Sequence, residues 1–113
     1  MNNTKNILWF SRHEMTSEQI NDLHRIYGEN IIVNQINKTI KSAYELADEI
    51  EAADVIAIVA PINLQSQFLK LANGKPVISA RSKRILLEDG KKVEFRFDGW
   101  FQIEKIKIVT KDL

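Results

Sequence analysis

At 113 residues, 44% of them hydrophobic and 27% charged, the chain reads as one globular domain of ordinary composition, able to bury roughly two-thirds of its unfolded surface. A formal net charge of +1 argues against a general nucleic-acid coat, so no long nucleic acid is expected as partner, and no apolar run approaches the ~20 residues of a membrane-spanning helix. The absence of cysteine excludes a disulfide framework, a thiol nucleophile and a sulfur-based zinc site, and it fits a cytoplasmic protein.

In chain order, Met1 to Asn6 leads into only four apolar residues, Ile7 to Phe10, which read as a short buried strand rather than a secretory signal. The chain then turns polar at Ser11-Arg12-His13-Glu14. Thr16 and Gln19 have the spacing of a capping box, and Met15 and Ile20 the spacing of a hydrophobic staple. A helix is therefore predicted over Ser17–Tyr27, with Ile20, Leu23, Ile26 and Tyr27 inward and Gly28 able to take the left-handed conformation behind it. Ile31-Ile32-Val33 is a second strand, and residues Asn34 to Thr39 form a polar connection.

Ser42 and Glu45 make a second capping box, opening a helix whose apolar stripe is Ala43, Leu46, Ala47, Ile50 and Ala53. Val55 to Ala60 is apolar on both faces, as a central strand of a helix-covered parallel sheet must be. Pro61 ends it. Asn63 is the expected cap of a third helix that buries Leu64, Phe68 and Leu71, Asn73-Gly74 stops that helix, and Val77 to Ala80 is a fourth strand. Asp89-Gly90 and Asp98-Gly99 then punctuate alternating segments, with Leu86-Leu87 and Val93–Phe97 flanking the first turn and Trp100 to Val109 following the second. A bulge near Glu104-Lys105 would reconcile the two parities of that last segment.

The predicted fold class is α/β: a Rossmann-like parallel sheet of order 2-1-3-4 flanked by helices, with a C-terminal antiparallel β-meander. Residues 1–80 form the core and 81–113 the extension of a single domain. From Glu14 to Asp54 acidic residues outnumber basic ones by about three to one, whereas basic residues dominate from Lys70 onward. Such asymmetry can mark an anion site.

In a parallel sheet the loops after the strands share one rim, where ligands of such folds bind. That rim would gather Ser11, Arg12, His13 and Glu14, then Asn34, Gln35, Asn37 and Lys38, then Asn63 and Gln65, and finally Ser79, Arg81, Ser82 and Lys83. Hydroxyls and cations beside helix N-termini suit phosphate, and amides suit base edges or sugar hydroxyls. The expected ligand is a nucleotide-like anion. The plainer reading of each residue is a helix cap or a solvated charge, and Trp9 and Trp100 read as core or dimer-interface residues. His24 falls at an exposed helix position. No glycine-rich dinucleotide motif or phosphate-binding loop is present, and two histidines without a third ligand argue against a metal site. Neither a metal nor a cofactor is expected. Ser11-Arg12-His13-Glu14 superficially matches the signature of histidine phosphatases, but Glu14 stands where their glycine should be and no second histidine can assist.

Phe10-Ser11-Arg12-His13, followed by Met15-Thr16 and Gln19, resembles the opening of small Rossmann-like CRISPR-associated accessory proteins of the ring nuclease type. The match covers about a dozen residues, and the strand–helix order carries it to about Ala80. It implies a homodimer that binds cyclic oligoadenylate across its two-fold axis and cleaves it without a metal, by 2′-hydroxyl attack giving a 2′,3′-cyclic phosphate. In that reading Ser11, Arg12 and His13 are catalytic: Arg12 with Arg81 or Lys83 supplies charge, Ser11 orients a phosphate, and His13 moves a proton. Two alternatives stand beside it, a non-cleaving sensor or sponge for a nucleotide messenger and a protein-interaction module.

Overall fold

The computed structural model of the chain describes residues 4–88, 90–105 and 111. Its elements are β1 (Lys5–Phe10), α1 (Ser17–Tyr27), β2 (Ile31–Ile36), one turn of 3-10 helix (Ala43–Leu46) running into α2 (Ala47–Ala52), β3 (Val55–Ile58), α3 (Ile62–Ala72), β4 (Val77–Leu86) and β5 (Val93–Gln102). They build one five-stranded sheet of order β2-β1-β3-β4-β5, parallel throughout except for the antiparallel β4–β5 pair. The Rossmann-like order 2-1-3-4 with an antiparallel extension is thus the observed architecture.

Strand β1 lies inside the sheet, between β2 and the central β3, because it is apolar on both sides. Leu8 and Phe10 join Leu46, Ile50, Ile56, Ile58, Phe68 and Val77 beneath α2 and α3, whereas Ile7 and Trp9 join Leu23, Val55, Ala57 and Ile78 beneath α1. All four residues of β3 are buried, as continuous apolar strands covered on two faces require.

Local chemistry sets the helix ends. The Thr16 hydroxyl accepts the Gln19 N–H at 3.1 Å, and the Gln19 side-chain oxygen accepts the Thr16 N–H at 2.9 Å. Behind α1, Gly28 at φ 94° lets its N–H reach the His24 carbonyl, 2.9 Å away. The Ser42–Glu45 capping box forms too, but it opens a 3-10 turn, and α2 proper is only six residues long. Ala47 is exposed, outside the stripe expected of it. The cap of α3 is Pro61, not Asn63, and Asn63 lies exposed in the first turn. Leu64, Phe68 and Ala72 are that helix's buried residues, while Leu71 is half-buried. No helix among the described residues is long and apolar enough to cross a membrane.

The extension departs from expectation in several respects. The first turn lies where it was predicted: Leu87 donates to the Lys92 carbonyl at 3.0 Å, and Gly90 takes φ 67° (Asp89 lies outside the described residues). Asp98-Gly99, however, does not turn the chain. It lies inside β5 as a bulge, with Ala80 opposite Trp100 but Ser82 opposite Phe97. Gly99 at φ 92° supplies the positive backbone angle this irregularity needs. Its position is fixed by Trp100, which packs edge-on against Trp9 at 5.7 Å and donates its indole N–H to the Gln19 carbonyl at 3.1 Å. The bulge foreseen at Glu104-Lys105 lies where no strand is formed, and residues 106–110 lie outside the described residues.

Candidate functional site

Crossing from β1 to β2 moves the chain one way along the sheet, and crossing to β3 moves it the other way. The loops after β1 and β3 therefore diverge and leave a crevice at the switch point. A cleft of about 370 Å³ occupies it, lined by Phe10 to His13 from β1, Ile36 and Lys38 to Ile40 from β2 onward, and Val59, Pro61 and Leu64 after β3. Its floor is apolar, made by Phe10, Ile36, Ile40, Val59, Pro61 and Leu64, and its rim carries Ser11, Arg12, His13, Lys38 and Thr39. Val59, 54% exposed, contributes apolar surface to the cleft.

The loop after β1 is held at several points. Ser11 is buried at 6% exposure. Its hydroxyl oxygen accepts the His13 N–H at 3.1 Å, and its own N–H donates to the Ile36 carbonyl at 3.3 Å. The Gln35 amide nitrogen donates to the carbonyls of Ser11 at 2.9 Å and His13 at 3.1 Å. The Trp9 indole N–H adds a second donor to the His13 carbonyl at 2.8 Å. With this backbone fixed, Arg12 reaches across the crevice and donates to the Thr39 hydroxyl at 2.6 Å. Arg12 is exposed and makes no ion pair with another described residue. An arginine held by a neutral hydroxyl keeps its full charge and several donors for an anion.

The predicted residues divide accordingly. Ser11, Arg12, His13 and Lys38 come together on the cleft. Gln35 instead holds the loop, because β2 runs on to Ile36 and places Gln35 beside Trp9. Asn34 lines a separate hollow of about 280 Å³ with Asn6, Leu8 and Glu49. Glu14, Asn37 and Asn63 are exposed and do not line the cleft. Gln65 donates to the Ala60 carbonyl at 2.8 Å and Ser79 to the Ile58 carbonyl at 2.9 Å, both bracing the end of β3. Arg81, Ser82 and Lys83 belong to β4, which continues past Ala80 where a loop was expected, and they do not line the cleft. There Arg81 lies over the Phe101 ring at 5.4 Å.

Sequence reasoning missed Thr39 and the apolar floor. The available signal was Ile40, a lone aliphatic residue in a polar run that is nevertheless 8% exposed. Nearby, the backbone N–H groups of Lys41 and Ser42 hold the Glu45 carboxyl below its ordinary pKa, with Lys38 adding attraction. Among the described residues no group of three or more histidines and carboxylates stands where it could hold a metal ion. No family model matches the chain, and no curated protein or solved structure matches it.

Proposed function

We propose that the switch-point cleft binds a nucleotide-like anion of the cyclic oligoadenylate class and that the chain cleaves it without a metal ion. The observation that carries the reading is Arg12: a cation with no carboxylate partner among the described residues, held beside an apolar floor at the crevice where α/β sheets bind ligands. The floor suits a base or ribose face, and Arg12 with Lys38 suits the phosphate. At about 370 Å³ the cleft is near the lower end of ligand pockets, which run from ~300 to ~1,000 Å³. It has room for one nucleotide unit. A larger ring is therefore shared, in this proposal, between the clefts of a two-fold homodimer.

Cleavage requires the ribose 2′-oxygen to attack the adjacent phosphorus as the bond to the leaving 5′-oxygen breaks. The 2′-hydroxyl gives up its proton and the 5′-oxygen gains one, leaving a 2′,3′-cyclic phosphate and a 5′-hydroxyl. His13 is the rim group suited to proton transfer, and Arg12 stabilises the crowded anionic phosphorus. The Ser11 hydroxyl accepts the His13 N–H and still has its proton to donate to a phosphate oxygen.

The non-cleaving sensor is the second reading. It is favoured by the absence of Arg81 and Lys83 from the cleft lining, which leaves Lys38 as the cation partnering Arg12 there. Incubation with cyclic tri-, tetra- and hexa-adenylate in EDTA, followed by chromatography and a thermal-shift measurement, separates the readings. Linear product supports cleavage, a thermal shift without product supports the sensor, and neither response removes both.

A further inference from the structure

We infer that Gln35 is a positioning residue for the Arg12–His13 loop and not a ligand contact, an inference that rests on the nucleotide reading of the cleft. The geometry admits one sense for its side chain. Both groups it meets are carbonyl oxygens, of Ser11 at 2.9 Å and His13 at 3.1 Å, so only the amide nitrogen can face them. The two N–H bonds straddle Arg12, one on each side. Parallel pairing sets Gln35 directly beside Trp9, and the Trp9 indole N–H meets the same His13 carbonyl at 2.8 Å. An edge strand and its neighbour thus grip the Ser11–Arg12 and His13–Glu14 peptide groups. Long side chains on a loop ordinarily sample many rotamers and lose that freedom on binding. Holding the Ser11 and His13 carbonyls spares the loop the backbone share of that ordering cost, and the bond to Thr39 turns the guanidinium across the cleft.

The test uses Gln35→Ala and Gln35→Glu with cyclic tetra- and hexa-adenylate as probes, together with amide and indole hydrogen exchange of the ligand-free protein. Gln35→Ala is expected to bind about tenfold more weakly, the effect of two modest hydrogen bonds, and to exchange faster at the His13 amide and the Trp9 indole before any ligand is added. Gln35→Glu replaces the donor with a carboxylate facing two carbonyls. It should resemble the alanine variant at pH 7 and recover, relative to wild type, towards pH 4, where the carboxyl holds a proton and donates again. Melting temperatures of both variants near wild type would show that the fold is intact. Wild-type binding and exchange in both variants would overturn the positioning role while leaving the ligand reading in place. Weakened binding with unchanged ligand-free exchange would also overturn it, because Gln35 would then touch the ligand directly. If wild type binds neither probe, the nucleotide reading fails, and the exchange rates alone decide whether Gln35 holds the loop.

Discussion

Arg12 and His13 are neighbours in the chain but differ in what their loss should do. Arg12 contributes to the fold one exposed bond to Thr39, so Arg12→Ala should leave the melting temperature nearly unchanged. Removing a preorganised charge from a reacting phosphate costs on the order of 10²–10³ in rate, and under the proposed cleavage product formation followed by chromatography should fall by that factor. His13→Ala deletes the proton carrier of the proposed mechanism but spares the backbone carbonyl that Gln35 and Trp9 grip, and should lower turnover by about 10²–10⁴-fold. Away from the cleft, Asp22 governs an acid-side dependence of stability. Its hydrogen bond from Arg25, aided by the Trp100 N–H, holds its carboxyl below the ordinary value. A lowered folded-state pKa means the contribution is complete above about pH 4 and is lost as pH falls through the lower folded value. Asp22→Asn should therefore flatten the acid limb of the melting-temperature profile.

The strands and helices were largely legible because periodicity and caps are local. The capping boxes at Thr16 and Ser42 form as spaced, and Val55 to Ile58 is buried throughout. Two predictions belong at this scale. Ile58 is fully buried, so Ile58→Ala should lower the stability measured by chemical denaturation by about 2–5 kcal/mol. Thr16→Ala should cost about 1 kcal/mol by the same measurement. Illegible features were those settled by tertiary contact. Asp98-Gly99 has the chemistry of a turn, but the docking of Trp100 on Trp9 and α1 keeps the strand running through it. Asn34 and Gln35 have loop chemistry, yet pairing with Leu8 and Trp9 draws them into β2.

At the scale of the whole molecule, the polar half of the site could be read from the chain and the apolar half could not. Ser11, Arg12, His13 and Lys38 follow strands and so gather at one rim. Ile36 and Ile40 come from the end of β2 and the stretch after it, and Val59 and Leu64 from the stretch after β3, and their meeting depends on crossover direction. The same argument explains why Arg81 and Lys83 were misplaced: with β4 prolonged into a hairpin, they ride along the sheet rather than stopping at its end. The proposed homodimer makes a mass measurement decisive for the shared-ring arrangement. Light scattering at micromolar concentration should give twice 13.0 kDa, and a stable monomer mass would remove it as the resting state.

The bulge at Asp98-Gly99 has a consequence for tolerance to length change. In an unbroken strand Phe97 and Trp100, three positions apart, would point to opposite sides. The extra residue brings them together, and their rings meet edge-on at 5.8 Å. Shortening the chain by one residue here would restore simple alternation. With Trp100 anchored, two positions on each strand would then separate the Ala80–Trp100 and Ser82–Phe97 pairs, so Phe97 and the rest of the distal ribbon would keep their sides. The hairpin should accordingly accept a single-codon deletion at Asp98-Gly99 more readily than one elsewhere in β5, where it would reverse the facing of every residue beyond it.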